Sequence, residues 1–203
     1  MVEGYRLGTP IICQPYDGWM SVDPAKLRIE IYPTEILRAK GADVEVNDET
    51  RAVAMRMVEL MRGAEGIGLA APQVGLSWRL FVAHVPVHEE DPVDAEIPCN
   101  TVEPQAFFNP EIVQFSEGLE PYDEGCLSLP GITGEVRRPS TVTMRALDIH
   151  GNQVEVRATG LLARCWQHEI DHLDGILILD KMSQMSRLKN RSRIKAMEKA
   201  GKR

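Results

Sequence analysis

The most restrictive feature of this sequence is a His-Glu-x-x-His string at residues 168–172, inside a largely apolar segment. Residues 161–174 are predicted to form a helix whose apolar side chains surround the histidines, so the helix is buried. On a helix, His168 and His172 lie one turn apart and present their imidazoles to one point. Burying these rings and the carboxylate of Glu169 is costly without a compensating ion. The string therefore predicts a metal-binding helix; the alternative is a pair of core histidines bonded to backbone carbonyls.

A pair of histidines needs at least one further ligand. No histidine follows His172, and the only later glutamate is Glu198, which lies in a basic tail. Cys126 is the best candidate, because a thiolate next to a cation binds iron or zinc strongly. Asp174 and Asp180 are weaker candidates because they lie close to the end of the helix. No fourth protein ligand is evident, which favours a site open to water over a structural zinc site.

A glycine-rich turn at residues 66–73 is the third notable segment. Gly66 and Gly68 allow a tight turn and a close approach of a ligand to the backbone. Gln73 offers an amide donor to a developing oxyanion. The turn lacks the Lys-Ser/Thr pair of a P-loop and the third glycine of a dinucleotide-binding fingerprint, so phosphate binding is disfavoured. On its own, such a run is more often a structural turn.

Three strings, GIGLAAPQ at 66–73, EGCLS at 124–128 and QHEIDH at 167–172, resemble the signature motifs of the peptide deformylases in order and spacing. The likeness covers residues 27–180 and includes the FFNP string at 107–110. It implies an α+β fold with antiparallel sheets around a central helix that carries the His-Glu-x-x-His motif. It also implies hydrolysis of the N-formyl group from the initiator methionine of nascent polypeptides, with release of formate.

The resemblance also implies residue roles. It assigns three ligands to one divalent metal ion per chain: Cys126, His168 and His172. The ion is expected to be Fe²⁺, with Zn²⁺, Ni²⁺ or Co²⁺ as substitutes. Glu169 is expected to act as the general base for water and then to pass the proton to the leaving amine. The Gln73 amide and the backbone N–H of Leu127 are expected to stabilise the oxyanion.

Substrate contacts are expected around the glycine-rich turn. An extended peptide would pair with the backbone near Gly68, without regard to its side chains. The methionine side chain is expected to enter an apolar pocket, for which the candidate lining residues are Ile67, Cys165 and Trp166.

The pattern along the chain predicts an α+β fold, because strands outnumber helices and do not alternate regularly with them. Asn47 is predicted to cap a helix that ends at Gly63. A basic helix is predicted to close the chain. The predicted strands are 79–87, 107–115, 140–148, 153–159 and 176–179, and a hairpin turn at 149–152 joins the third and fourth.

Charge divides the chain into unequal parts. The formal net charge is −7, which argues against general nucleic-acid binding by the main body. From Lys181 to Arg203, however, nine basic residues accompany one acid. We therefore expect an N-terminal extension at 1–26, a catalytic domain at 27–180 and a basic helical tail at 181–203. The tail is reminiscent of deformylases whose C-terminal helix docks on the ribosome; the alternative is a solvated helix end.

The sequence contains neither a long apolar run nor a secretory signal, so we expect no membrane association and a cytoplasmic location. Its four cysteines suit a reducing compartment. Two other functions remain as alternatives. One is a metallopeptidase, which the Cys126 and Gln73 positions disfavour, and the other is a non-catalytic binding protein, which the retention of Glu169 disfavours.

Overall fold

The computed structural model describes residues 22–88 and 96–201. The α-helices are α1 (Asp48–Gly63), α2 (Gly160–Leu173), α3 (Ile178–Lys181) and α4 (Gln184–Ala200). The strands are β1 (Gly68–Ala70), β2 (Leu80–Ala83), β3 (Gln105–Phe115), β4 (Glu120–Gly125), β5 (Thr133–Arg138), β6 (Thr141–Leu147) and β7 (Gln153–Thr159). Short 3-10 turns lie at Pro24–Lys26, Glu35–Arg38 and Ala71–Val74.

The strands of the described residues form two antiparallel sheets. Five strands pair in the order β1-β2-β3-β6-β7, and β4 and β5 form a separate hairpin. All strand pairs within both sheets are antiparallel. The α+β prediction is confirmed, and so is the C-terminal helix.

Helix α1 begins as the sequence predicts. The Asn47 side chain accepts a hydrogen bond from the Thr50 N–H, and the Thr50 hydroxyl accepts one from the Asn47 N–H. This reciprocal cap satisfies two backbone donors at the start of the helix. Met57 and Met61 on its buried face pack against Leu69 and other residues of the large sheet.

Helix α2 lies between the large sheet and the β4–β5 hairpin. On the sheet side, Trp166 packs edge-on against Phe107, with ring centroids 5.4 Å apart. On the hairpin side, Arg164 and His168 form hydrogen bonds with Glu124 of β4. The helix therefore has an apolar side and a charged side, and the charged side faces the hairpin.

The turn between β6 and β7 forms as predicted. The Asp148 carboxylate accepts hydrogen bonds from the N–H groups of His150 and Asn152, and Gly151 adopts a φ of 86°. A positive φ is readily available to glycine, so this residue suits the turn. The two strands pair from Thr141–Thr159 to Leu147–Gln153 without a register shift.

The structure departs from the predictions in several places. The predicted strand at 176–179 is wrong, because Ile178–Lys181 is helical and the Asp180 carboxylate accepts from the Leu177 N–H at its start. The predicted strand at 79–87 is shorter, at Leu80–Ala83. Strands β1, β4 and β5 were not predicted. Residues 1–21 of the predicted extension, and 202–203 of the tail, lie outside the described residues.

Helix α4 packs on the hairpin through polar contacts. The buried Asn190 amide donates to the Thr133 carbonyl at 2.7 Å, and Ser186 Oγ accepts from the Glu135 N–H. Within the described part of the chain, no helix is long and apolar enough to cross a membrane.

Candidate metal centre

Helix α2 places its two histidines side by side. The ring centroids of His168 and His172 are 4.9 Å apart and the rings meet edge-on. His172 is fully buried, and burial lowers its pKa well below the usual value. A low pKa keeps the imidazole neutral, which is the form that binds metal ions.

Cys126 reaches the histidine pair from the end of β4. Its Sγ lies 3.3 Å from Nε2 of His172. One donor atom from each of Cys126, His168 and His172 lies within 4.8 Å of the others. Among residues 22–88 and 96–201, these three form the single group of histidine, cysteine or acidic side chains arranged in this way.

Asp174 and Asp180, the weaker ligand candidates, form ion pairs with arginines instead. Asp174 accepts a hydrogen bond from Arg79 at 2.8 Å. Asp180 pairs with Arg38 and caps the start of α3. Neither belongs to the group around Cys126.

Glu124 fixes the orientation of one imidazole. Its Oε2 lies 3.1 Å from Nδ1 of His168, so the Nε2 atom of that ring is left for the metal group. Burial opposes ionisation of Glu124, but hydrogen bonds from His168 and Arg138 hold its pKa well below the usual range. Burial lowers the pKa of His168, but hydrogen bonds with Cys126 and Glu124 outweigh it and raise that pKa to about 10, so metal binding at this ring releases a proton.

Glu124 and three charged neighbours form a connected group that we call the Glu124 network: Glu124, Arg138, Arg164 and Asp171. Arg138 binds Glu124 through two nitrogens, at 2.7 and 2.9 Å, and Asp171 through the third at 2.7 Å. Arg164 donates to Glu124 Oε1 at 2.8 Å. Sequence reasoning missed this network, because its hairpin and helix members are far apart in the chain and no local pattern pairs them.

Glu169 lies beside the metal group on the same helix. It is 3% exposed, and its Oε2 has no hydrogen-bond partner among the described residues. Burial raises the pKa of Glu169 to about 7, against the opposing effect of His168. A carboxyl group with a pKa near neutrality can both accept and donate a proton at neutral pH.

Gln73 is held in one orientation by its neighbours. Its Oε1 accepts from the Ala70 N–H at 2.8 Å, and its Nε2 donates to Ser128 Oγ at 3.2 Å. The same Nε2 lies 3.5 Å from Cys126 Sγ. The amide nitrogen therefore faces the metal group, and its oxygen faces the backbone.

A cleft of about 500 Å³ opens at this point. The predicted site residues that line it are Ile67, Gly68, Gln73, Cys126, Leu127, Cys165, His168 and Glu169. The Cys165 thiol donates to the Ile67 carbonyl at 3.3 Å, and burial raises the pKa of that thiol well above its usual value. Trp166 is not among the lining residues, since its ring is buried in the core beside Phe107.

The donor set fits a transition-metal ion. A thiol and two imidazoles are ligands typical of iron and zinc rather than of magnesium or calcium. The His168 Nδ1 contact with Glu124 leaves the other ring nitrogen available, as a metal-binding imidazole requires. Cys126, His168 and His172 thus form a group that could hold one metal ion.

Comparison with known proteins gives one family. The model of the family described as Polypeptide deformylase matches residues 26–188. The chain is 44% identical over 164 residues to a peptide deformylase of Thermodesulfovibrio yellowstonii, covering 80% of this chain and 93% of the relative. It is 42% identical over 175 residues to a peptide deformylase of Phenylobacterium zucineum, covering 86% and 96%.

Solved structures agree with these relatives. The crystal structure of peptide deformylase from Ehrlichia chaffeensis is similar with a TM-score of 0.78 at 36% identity, covering 86% of this chain and 98% of that one. The peptide deformylase of Thermotoga maritima gives a TM-score of 0.68 at 35% identity, covering 77% and 97%.

Proposed function

The chain belongs to the polypeptide deformylase family and hydrolyses the N-formyl group of nascent polypeptides, and we propose that the residues around Cys126 carry out this reaction. The observation that carries the proposal is the convergence of one thiol and two imidazoles within 4.8 Å, beside a buried glutamate and in a cleft. The family is one of metal-dependent amidohydrolases.

We assign Cys126, His168 and His172 as the ligands of one divalent ion per chain. We propose Fe²⁺ as the ion, with Zn²⁺, Ni²⁺ or Co²⁺ as substitutes, since thiolate and imidazole donors suit all four. When bound, such an ion supplies Lewis acidity that polarises the formyl carbonyl and acidifies water. The remaining chemistry falls to side chains of the cleft.

We propose that Glu169 is the general base. Its carboxylate is buried next to the ligands and has no competing hydrogen bond on Oε2 among the described residues. It takes a proton from the water that attacks the formyl carbon. It then returns that proton to the amine nitrogen as the C–N bond breaks, so that formate and a free amino terminus leave.

The oxyanion is assigned to two donors. The Gln73 amide nitrogen faces the metal group because its oxygen is already bonded to the Ala70 N–H. We propose that this amide and the backbone N–H of Leu127 donate to the oxygen of the formyl group as it becomes negative. Ser128 Oγ holds the amide in place at 3.2 Å.

The substrate is proposed to bind as an additional strand. Among the described strands β1 pairs with β2 alone, and its other edge, at Gly68, lies in the cleft. Backbone pairing there would be independent of side-chain identity. Ile67, Cys165 and Leu161 line the cleft and are proposed to contact the methionine side chain. The position of Trp166 in the core gives that residue a supporting role behind the pocket.

Formate release from a formyl-Met tripeptide tests the activity at this site. The protein is purified anaerobically to protect Fe²⁺, and the unformylated tripeptide is the control. The expected result is rapid formate release with no cleavage of the control. Cleavage of an internal peptide bond would indicate a metallopeptidase, and no turnover by a metal-loaded protein would indicate a binding protein.

We propose that the chain is divided into an extension at 1–26, a catalytic domain at 27–180 and a basic tail at 181–203. The tail is proposed to dock on the ribosome, and the reaction is proposed to take place in the cytoplasm, where nascent chains emerge. Exposed cations on α4 support this, because nucleic-acid backbones attract clustered basic side chains. They include Arg191, Lys195 and Lys199.

Co-sedimentation with purified ribosomes at low salt tests the docking. Binding should be lost when three exposed tail cations are changed to glutamate: Arg191, Lys195 and Lys199. The matched control changes three exposed cations of the main body to glutamate: Arg28, Lys40 and Arg157. Equal loss in both variants would show that net charge, rather than the tail, governs binding.

A further inference from the structure

Arg164 is a buried cation that the proposed chemistry does not use. It lies on α2, one turn before His168, and only 9% of its side chain is exposed. Its guanidinium donates to Glu124 Oε1 at 2.8 Å, to the Val136 carbonyl at 3.1 Å and to the Glu120 carbonyl at 2.8 Å. Burying such a group requires compensation, and all of these partners lie on the β4–β5 hairpin.

The Glu124 network connects the two elements that carry the ligand atoms. Arg164, His168 and Asp171 occupy positions i, i+4 and i+7 of α2, so they face the hairpin together. Glu124 lies on β4, two residues before Cys126. The distance between the thiol and the imidazoles therefore depends on how firmly the hairpin is attached to the helix.

Within this network, the two oxygens of Glu124 have different partners. Oε1 accepts from Nε of Arg138 and Nη1 of Arg164, whereas Oε2 accepts from Nη2 of Arg138 and lies against His168 Nδ1. Arg164 thus fixes the carboxylate on the side away from the imidazole. Without it, Glu124 would depend on Arg138 alone, and the hairpin would lose three hydrogen bonds to α2.

We propose that Arg164 is a positioning residue of the metal centre. It holds Glu124 so that His168 presents Nε2 to the metal. It also holds β4 so that Cys126 stays within reach of both histidines. The proposal rests on the ligand assignment above. It adds a residue outside the three signature motifs to the determinants of metal affinity.

The Co²⁺ form provides a direct test. Co²⁺ affinity is measured by chelator competition, and the cobalt d–d and thiolate charge-transfer bands report the ligand geometry. The variants are Arg164→Met, which has no charge, and Arg164→Lys, which keeps the charge on a single ammonium group instead of a planar guanidinium. The control is Arg145→Met, which removes an arginine from the exposed pair with Glu155 on the far strands.

We expect Arg164→Met to weaken Co²⁺ binding by about 10–100-fold and to shift the cobalt bands, as is typical when a residue supporting a ligand is removed. Arg164→Lys should recover part of the affinity. Arg145→Met should match the unaltered protein. The melting temperature of each metal-free variant is measured alongside, because loss of the carbonyl contacts lowers stability as well.

The proposal is overturned if folded Arg164→Met binds Co²⁺ within twofold of the unaltered protein and with the same bands. A fall in melting temperature without any change in affinity or bands would also overturn it, because Arg164 would then be purely structural. If Arg164→Met does not fold, Arg164→Lys is judged by the same two criteria. If the unaltered protein binds no Co²⁺, the ligand assignment itself fails, and this proposal fails with it.

Discussion

Replacing Gly68 with alanine tests how closely β1 approaches the proposed general base. A Cβ atom added at Gly68 would lie 2.7 Å from Cδ of Glu169 and 2.8 Å from Sγ of Cys165. Side-chain contacts are normally about 3.5–4.0 Å, so neither neighbour can stay where it is. Gly68 does not have a positive φ, and the conflict is therefore one of space alone.

The cost can be estimated from these distances. Relieving the contact requires a displacement of roughly 1 Å, and a misplacement of that size costs on the order of 10²-fold in rate. That loss corresponds to about 2.7 kcal/mol of transition-state stabilisation. Overpacking should also lower the free energy of unfolding by about 1–3 kcal/mol, with about 2–4 °C of Tm lost for each kcal/mol.

The formate-release assay, metal analysis and thermal melting together show whether any loss of turnover comes from a displaced Glu169, from loss of metal or from loss of stability. Gly68→Ala should lose at least about 10²-fold in kcat/KM but keep its metal, because Glu169 is not a proposed ligand. The control is Gly63→Ala at the end of α1, where an added Cβ meets nothing within 4 Å. Near-normal turnover by Gly68→Ala would refute the idea that this glycine is needed for the position of Glu169.

Four further changes have defined outcomes. Glu169→Gln should lower kcat by at least about 10²-fold while metal is retained, because an amide cannot accept the proton; metal analysis and the formate assay check both. Cys126→Ala should lose its metal on dialysis, and a fully metallated variant would mean that another residue is the ligand. Chelation of the native protein should abolish turnover and lower Tm, with both restored by added metal, since an ion that binds the folded state stabilises it. Asp148→Ala should lower the urea midpoint of unfolding with turnover unchanged, because two turn N–H groups lose their acceptor; urea denaturation measures the change.

Local signals in the sequence predict those parts of the fold that local interactions determine. The Asn47 cap predicts the start of α1, and the turn after Asp148 predicts the β6–β7 hairpin, because each depends on residues within a few positions. Strand β4 was missed for the opposite reason. Its single buried residue is Glu124, so the strand has no apolar alternation, and its partners are Arg138, Arg164 and His168.

Strand β1 and helix α3 show a second limit. β1 has three residues, and its burial comes from packing against β2 and α2 rather than from a pattern of its own. The apolar run at 176–179 is short enough to suit a strand or a buried helical turn, and periodicity alone does not separate them. The Asp180 side chain stabilises the helix because it accepts a hydrogen bond from the Leu177 N–H at the start of α3.

Within the site, helix geometry alone separates the cleft side of α2 from its core side. At about 100° per residue, Arg164 lies about 40° from His168 around the axis of α2, and Cys165 lies about 60° away. Trp166, two positions before His168, lies about 160° away and must point to the opposite side. The structure has the same arrangement, with Arg164 and Cys165 lining the cleft and Trp166 in the core. Angular position, rather than proximity in sequence, therefore distinguishes the residues of α2 that face the cleft from those that pack into the core.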